Sequence, residues 1–266
     1  MILGLLKAPS PHRRRTPPPL ILSLSKDGTP PGRQTPPRPL HKRAMCNLYR
    51  MTRSPAEVAE WFRAVNEAAG ANTPELVYPQ YPGLVVARGA GEDAGGLAVR
   101  QMVWGFPLTQ RSARTGQMLK PRPVNNARSD KLDSFMWRQS FAERRCLIPL
   151  TAWAEAEGTP KSKGGPGMTR TWLTLPDRPL FAAAGLWRRS EEWGAVFTMV
   201  MTDSCGAAAE CHDRMPVLLR AEDEAAWVFG GKADAEALCV PYEGEVAVER
   251  TGELWGGRGF DGDRER

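Results

Sequence analysis

A cysteine directly follows a methionine in Met45-Cys46-Asn47-Leu48-Tyr49, and that pairing sets the chemistry open to this chain. Methionine aminopeptidases remove an initiator Met when the next residue is small, and Cys qualifies. If translation starts at Met45, the mature chain begins at Cys46 with a free α-amine and a thiol on adjacent carbons. An α-amine titrates at about 7.7–8.0, against about 10.4 for lysine, so a sizeable fraction is neutral at physiological pH. Such an amine attacks aldehydes without further tuning. The other reading of the same five residues is an internal Met45 and a small buried Cys46.

Few other residues carry chemistry. His212 is the one histidine beyond residue 44, in Cys211-His212-Asp213-Arg214-Met215-Pro216. It brings a side chain that titrates near neutrality. Glu155 closes an apolar run with aromatics nearby, where burial would suit it to proton transfer. The polar segment Val124-Asn125-Asn126-Ala127-Arg128-Ser129 lies among Arg111, Arg114, Lys120, Arg122 and Lys131, with Asp130 as the one acid between 111 and 131. It reads either as a solvated loop or as a patch that holds a nucleic-acid backbone. Cys205, Cys211 and His212 lack a recognised zinc spacing, so no metal site is expected. The five cysteines, at 46, 146, 205, 211 and 239, are odd in number and form no CxxC pair. They point to a reduced, cytoplasmic setting without disulfides.

The elements that must position these residues begin after residue 44. Residues 1–44 hold ten of the 24 prolines, nine basic residues and one acid, and lack apolar periodicity. This composition predicts a disordered preface: upstream sequence read from a misplaced start, or a leader that is removed. The preface also carries the basic excess of a chain whose net charge is +6, because residues 45–266 hold 27 basic and 29 acidic residues. Nucleic-acid binding further on therefore needs a local patch. Ser54, Pro55 and Glu57 predict a capped helix whose apolar stripe runs from Val58 to Val65, with Gly70 as its stop. Strands are expected at 84–87, 97–104, 146–149, 171–175, 180–187 and 195–202. Helices are expected at 134–144, 221–229 and 233–239, a Gly-rich turn at 89–96, and a loop at 158–168. Strands and helices do not alternate regularly, which predicts an α+β fold with a mixed or antiparallel, barrel-like sheet. One domain is expected over 45–250, followed by a flexible tail over 251–266. No apolar run is long enough to cross a membrane.

In order, Met45-Cys46, Trp104-Gly105-Phe106-Pro107, Asn126-Ala127-Arg128-Ser129, Arg145-Cys146-Leu147-Ile148-Pro149 with Glu155 beyond it, Ala184-Gly185-Leu186-Trp187 and His212-Asp213-Arg214-Met215-Pro216 resemble one family. It is that of the SOS-response-associated peptidases, also called abasic-site processing proteins. The resemblance implies one α+β domain with a barrel-like β core and a groove for single-stranded DNA. It implies Cys46 as the N-terminal catalytic residue and Glu155 and His212 as an acid/base pair. Asn126 would be an active-site amide and Arg128 a phosphate-binding arginine. The implied activity is covalent capture of abasic sites in single-stranded DNA as a thiazolidine, by a monomer without a cofactor, together with removal of its own leader.

Departures leave some roles open. Relatives often have Gly and Arg after the Cys, where this chain has Asn47 and Leu48; Arg50 or Arg53 would then supply that DNA contact, beside Arg122. Ala156 stands where a Trp is common. Pro79 and Trp104 match positions thought to wedge between bases, although a core role for Trp104 is equally compatible with the sequence. Competing readings are a Cys-dependent peptidase acting on other proteins and a non-catalytic DNA-binding module.

Overall fold

The computed structural model describes residues 46–90 and 95–255. The expected preface over 1–44, the middle of the expected turn at 89–96, and the tail beyond Trp255 lie outside the described residues.

Five strands close a barrel: β4 (Pro82–Arg88), β5 (Leu97–Trp104), β9 (Arg145–Leu150), β12 (Phe181–Ser190) and β13 (Gly194–Asp203). Around the ring β9 pairs with β4, β4 with β5, β12 with β9 and β13 with β12, all antiparallel. A parallel pairing of β13 with β5, Val196 opposite Val103 and Phe197 opposite Trp104, completes it. Closure leaves no edge strand to cover. The strands are rich in Val, Leu and Ala because both ends of the ring must fill with side chains, and Leu84, Val86, Val99, Leu147, Ala183, Leu186 and Met199 are buried. Where β9 and β12 cross, Gly185 allows the close approach: a Cβ there would meet the Ile148 and Cys146 side chains at 2.8–2.9 Å.

A second sheet runs β16 (Ala247–Leu254), β11 (Gly167–Thr174), β10 (Ala152–Thr159), β1 (Tyr49–Arg50) and β3 (Leu76–Val77). Its two faces alternate with the pleat. Tyr49, Val77, Trp153 and Leu173 join the barrel core, whereas Leu48, Ala152, Ala154 and Trp172 form a smaller cluster on the other side. Residue 155, two beyond Trp153, therefore faces the barrel.

Shorter pieces join the sheets. They include β2 (Val65–Asn66), the hairpin of β6 (Phe106–Leu108) with β7 (Arg122–Val124), β8 (Asn126–Arg128), β14 (Arg214–Pro216) and β15 (Leu218–Leu219). The helices are α1 (Pro55–Trp61), α2 (Arg138–Glu143), α3 (Ala208–Cys211), α4 (Glu224–Phe229) and α5 (Lys232–Ala237). Gly105, between β5 and β6, has φ +116°, and a Cβ there would lie 2.5 Å from the Pro123 side chain. Only glycine turns the chain there without strain. The α+β, barrel-like class expected from the sequence is the one observed. Among the described residues, no helix is long and apolar enough to cross a membrane.

Several local expectations are corrected. The capping box of α1 is present, but the helix stops at Trp61, well before Gly70. Arg63 takes φ +51°, and Val65 enters β2 beside Ala98 of β5. The helix expected over 134–144 is confined to α2. The loop expected at 158–168 is narrower, because β10 and β11 extend into it. The last strand runs to Leu254, past the expected start of the tail, and Trp255 packs on the small cluster around Trp172.

Arg145 is a buried structural cation. It donates to the Phe141 (2.6 Å) and Ala142 (3.3 Å) carbonyls at the end of α2, and to the Trp227 (2.5 Å) and Gly230 carbonyls at the end of α4. One guanidinium thus satisfies the last-turn acceptors of two helices and sits at the negative ends of both. Arg145→Met is expected to lower the unfolding free energy by roughly 3–5 kcal/mol, since it strands buried carbonyls. Arg145→Lys should recover little of this, because an ammonium cannot reproduce the planar fork. Urea denaturation followed by fluorescence measures both variants.

Candidate active site

The residues leading into β1 are locked in place before any chemistry is considered. Leu48 accepts a backbone hydrogen bond from Ala154 of β10 at 3.0 Å, and Tyr49 pairs with Trp153 on one side and Val77 on the other. Cys46, just upstream, is fully buried. Its thiol lies 3.4 Å from the Leu48 carbonyl.

The Cys46 carbonyl is held by two side-chain amides. Asn126 Nδ2 donates at 2.7 Å and Asn125 Nδ2 at 3.1 Å, and the latter also reaches Asn47 Oδ1 at 2.8 Å. Both asparagines are placed by β13. Asn126 lies opposite Met199 in the parallel β8–β13 pair. The Asn125 carbonyl accepts from Met199 N at 3.0 Å and from Trp104 Nε1 at 2.9 Å. Sequence reasoning assigned the amide role to Asn126 alone and missed Asn125, for which the adjacent Asn-Asn pair was the available signal.

Of the two roles left open for Trp104, the structure has the core one. It is fully buried, stacked on Phe197 with ring centroids 6.3 Å apart, and edge-on to Tyr49 at 5.1 Å. In this conformation it has no surface to insert between bases, and its contact with the candidate site is the bond to the Asn125 carbonyl. Pro79 is half-exposed, in a turn where Gln80 N donates to Trp104 O at 2.7 Å.

Glu155 is 1% exposed. Burial first, and then the Glu155 charge, pushes the Cys46 thiol well above the ordinary thiol range, outweighing the Leu48 and Ala154 backbone groups that pull it down. Helix α3 leads to His212, which is 2% exposed. Burial, and then the Glu157 charge, raises the thiol of Cys211 at the end of that helix to about 11, with Arg250 partly opposing and Glu155 adding a smaller push. His212 Nδ1 accepts from Arg214 N at 2.9 Å and lies 3.0 Å from the Asp213 carboxylate. Two buried polar atoms, Asn126 Oδ1 and His212 Nε2, have no hydrogen-bond partner among the described residues. Buried polar atoms are usually paired, so these two point to a ligand or solvent that completes them.

Arg128 shares the face of β8 with Asn126 but is exposed, and its guanidinium forks onto Asp130 at 2.9 and 2.7 Å. That bond holds the Asp130 carboxyl below the usual carboxylate range. Arg214 joins the network, 3.8 Å from Asp130 and 3.4 Å from Asp203.

The remaining expected DNA contacts are not gathered here. Arg50 lies 4.1 Å over the Trp172 ring and 3.8 Å from Glu75. Arg53 pairs with Glu57 at 3.2 Å, at the start of α1. Arg122 is exposed on β7 and reaches Gln110 at 3.3 Å. It belongs to a hairpin that does lead to the site, since β7 ends at Val124, next to Asn125. Among the described residues, no cluster of three or more His, Cys, Asp or Glu side chains could hold a metal.

Comparison with known proteins extends this picture. Two curated Bacillus subtilis proteins, abasic site processing proteins YoqW and YobE, are 29% and 27% identical over 132 residues, 45% of this chain and 55% and 57% of theirs. The chain thus spans about half the length of the curated relatives it matches. Among solved structures, a Bordetella bronchiseptica protein superposes with TM-score 0.61 at 21% identity, over 77% of this chain and 99% of its own. A Bacteroides thetaiotaomicron protein does so with TM-score 0.60 at 21% identity, over 77% and 91%. These likenesses speak for the fold. The profile described as SOS response associated peptidase (SRAP) matches residues 45–251, which takes in the barrel, most of the second sheet and every residue of the candidate site, and the chain belongs to that family.

Proposed function

We propose that this protein captures abasic sites in single-stranded DNA through Cys46, as an N-terminal residue, by closing a thiazolidine ring. The observation that carries this reading is the pair of amides on the Cys46 carbonyl beside a buried thiol and carboxylate. They fix the backbone of one residue so that its nitrogen and sulfur meet a single carbon.

The opened abasic sugar presents an aldehyde at C1′. The neutral Cys46 amine adds to that carbon, its nitrogen gives up both of its protons in two transfers to the former carbonyl oxygen, and that oxygen leaves as water, giving an imine. The Cys46 sulfur then bonds to the imine carbon. The C=N electron pair returns to nitrogen, which takes a proton as the thiol loses one. The ring contains N, Cα, Cβ, S and C1′, so no oxidant or further reactant is needed. Glu155 relays the protons, and His212, through Nε2, protonates the departing sugar oxygen and assists reversal. Arg128 fixes a flanking phosphate, in exchange for its present bond to Asp130. The amine exists only once the bond between Met45 and Cys46 is gone, and self-processing at Cys46 is the step that releases it.

The relatives' names support an abasic-site activity, and the charge layout supports contact with a phosphate backbone. Residues 109–129 hold five basic residues and no acid, in a part of the chain that is otherwise slightly acidic. A peptidase acting on other proteins would need a thiolate favoured near neutrality, usually by a neighbouring cation. The Cys46 thiol is shifted the opposite way.

The direct test incubates protein beginning at Cys46 with a single-stranded oligonucleotide carrying one abasic site, and reads the adduct on a denaturing gel. A heat-stable adduct is expected for wild type, and none for Cys46→Ala or Cys46→Ser. Loss of the adduct in protein beginning at Cys46, or its survival in Cys46→Ser, would overturn the thiazolidine. Asp130→Asn frees Arg128 and should tighten binding of an undamaged oligonucleotide about three- to fivefold at low salt, with the gain shrinking as salt rises. Fluorescence anisotropy measures this. In the folded protein, iodoacetamide should label Cys46 at pH 8 at least about tenfold more slowly than a free thiol, and labelling should climb only at pH values above the ordinary thiol range of about 8.5. Peptide mapping of the alkylated protein gives the rate.

A further inference from the structure

A cavity of about 370 Å³ opens on α2, away from Cys46, lined by Phe135, Arg138, Gln139, Ser140, Arg144 and Arg188. Nothing in the proposed chemistry uses it, yet its lining is unusual. Phe135 is 87% exposed, an aromatic ring almost wholly in water. A single exposed aromatic is ordinary by itself, but this one shares its cavity with Arg138, Arg144 and Arg188. Arg138 lies 5.4 Å over it.

Two of these arginines are not satisfied by the protein. The buried Nε groups of both Arg144 and Arg188 have no hydrogen-bond partner among the described residues. Arg144 bonds to its exposed neighbour Glu143 at 3.1 Å, and Arg188 makes a long 3.3 Å bond to the Pro107 carbonyl. The Arg188 guanidinium also lies 4.5 Å over the Phe106 ring. Burial, reinforced by the Arg144 charge, pulls Arg188 below the usual arginine range, while Glu192 partly offsets this. Two cations are thus held close together at the end of β9 and β12, where Trp187 N donates to Arg144 O at 2.9 Å. An anion between them would relieve their repulsion and bond in a planar, bidentate way.

We infer that this cavity is a nucleotide-binding subsite, with a phosphate on Arg144 and Arg188 and a base stacked on Phe135. A single phosphate would not need the ring, and an apolar ligand would not need the arginines. The volume lies in the range of small-ligand sites, about 300–1,000 Å³. Stacking on an aromatic beside a basic track is how proteins hold single strands without reading sequence. Continuity favours a strand as the source of the nucleotide. Arg188 rests on Phe106 and Pro107 of β6, β6 pairs with β7, and β7 ends beside Asn125. This last step rests on the DNA reading above, whereas the subsite itself does not.

The test uses Cys46→Ala protein throughout, which forms no adduct, so its outcome is independent of the thiazolidine. Binding of a fluorescein-labelled, undamaged oligothymidylate is measured by anisotropy, and binding of dTMP and of inorganic phosphate by calorimetry. Phe135→Ala and Arg138→Gln alter exposed side chains and should leave the melting temperature unchanged. Phe135→Ala is expected to weaken oligonucleotide binding roughly tenfold, in line with the loss of one stacked base. Weakening of dTMP binding alone would support the same subsite with a free nucleotide as its source. Equal binding of both probes by wild type and Phe135→Ala, or phosphate binding as strong as dTMP binding, would overturn the inference.

Discussion

Strand β13 is the constraint on which the rest of this molecule depends. Both of its edges are hydrogen-bonded, and four of its pairings each deliver a different part of the site. Phe197 sets Trp104, Met199 sets Asn126, Met201 sets Arg128 and Asp203 sets Arg214. Because the pairing with β5 closes the barrel, a slip of β13 by one residue would open the ring and turn every partner to the wrong face. The barrel's stability and the placement of the polar groups are therefore one requirement. The second sheet then brings β1 and β10 against this frame. Cys46 and Glu155 arrive from that sheet, and Asn125 and Asn126 from the barrel, so the site is assembled where two independently paired sheets meet.

That division explains what could be read from the sequence. The strand at 97–104 was legible residue for residue, as was the capping box of Ser54 and Glu57, because both signals are local. Val65 was misread because its helical spacing was outweighed by pairing with Ala98, 33 residues away. Strand β16 was missed because its sequence is largely polar, as an exposed edge requires, and pairing to β11 is what makes it a strand. The parallel pairings of β13 with β5 and β8 have no local signature. They decide that Trp104 is buried and that Asn125 shares the work of Asn126. Cys46, Asn126, Glu155 and His212 could be grouped only through motif order, since they come from four separate elements. The cavity at Phe135 was not legible, because Arg144 and Arg188 meet only through the β9–β12 pairing.

If the proposed function holds, the electrostatics of the site favour retention by chemistry over retention by charge. Basic residues crowd the hairpin before Asn125, but Asp130, Asp203 and Asp213 stand directly behind Arg128, and its fork is already occupied. Phosphate contacts alone, few in number and in competition with these acids, would give binding that salt readily weakens. A buried thiol that keeps its proton is a poor general nucleophile, which spares it from adventitious electrophiles. On the proposed reading it becomes reactive once an imine is held at its own nitrogen, because the second addition is intramolecular and the partner carbon is electron-poor. On the proposed reading, weak, sequence-blind contacts suffice to bring a strand past the site, and ring closure selects the sugar that carries an aldehyde. In that scheme a tighter electrostatic grip would slow release from undamaged DNA without improving the selection, and the Arg128–Asp130 pair would keep the grip loose.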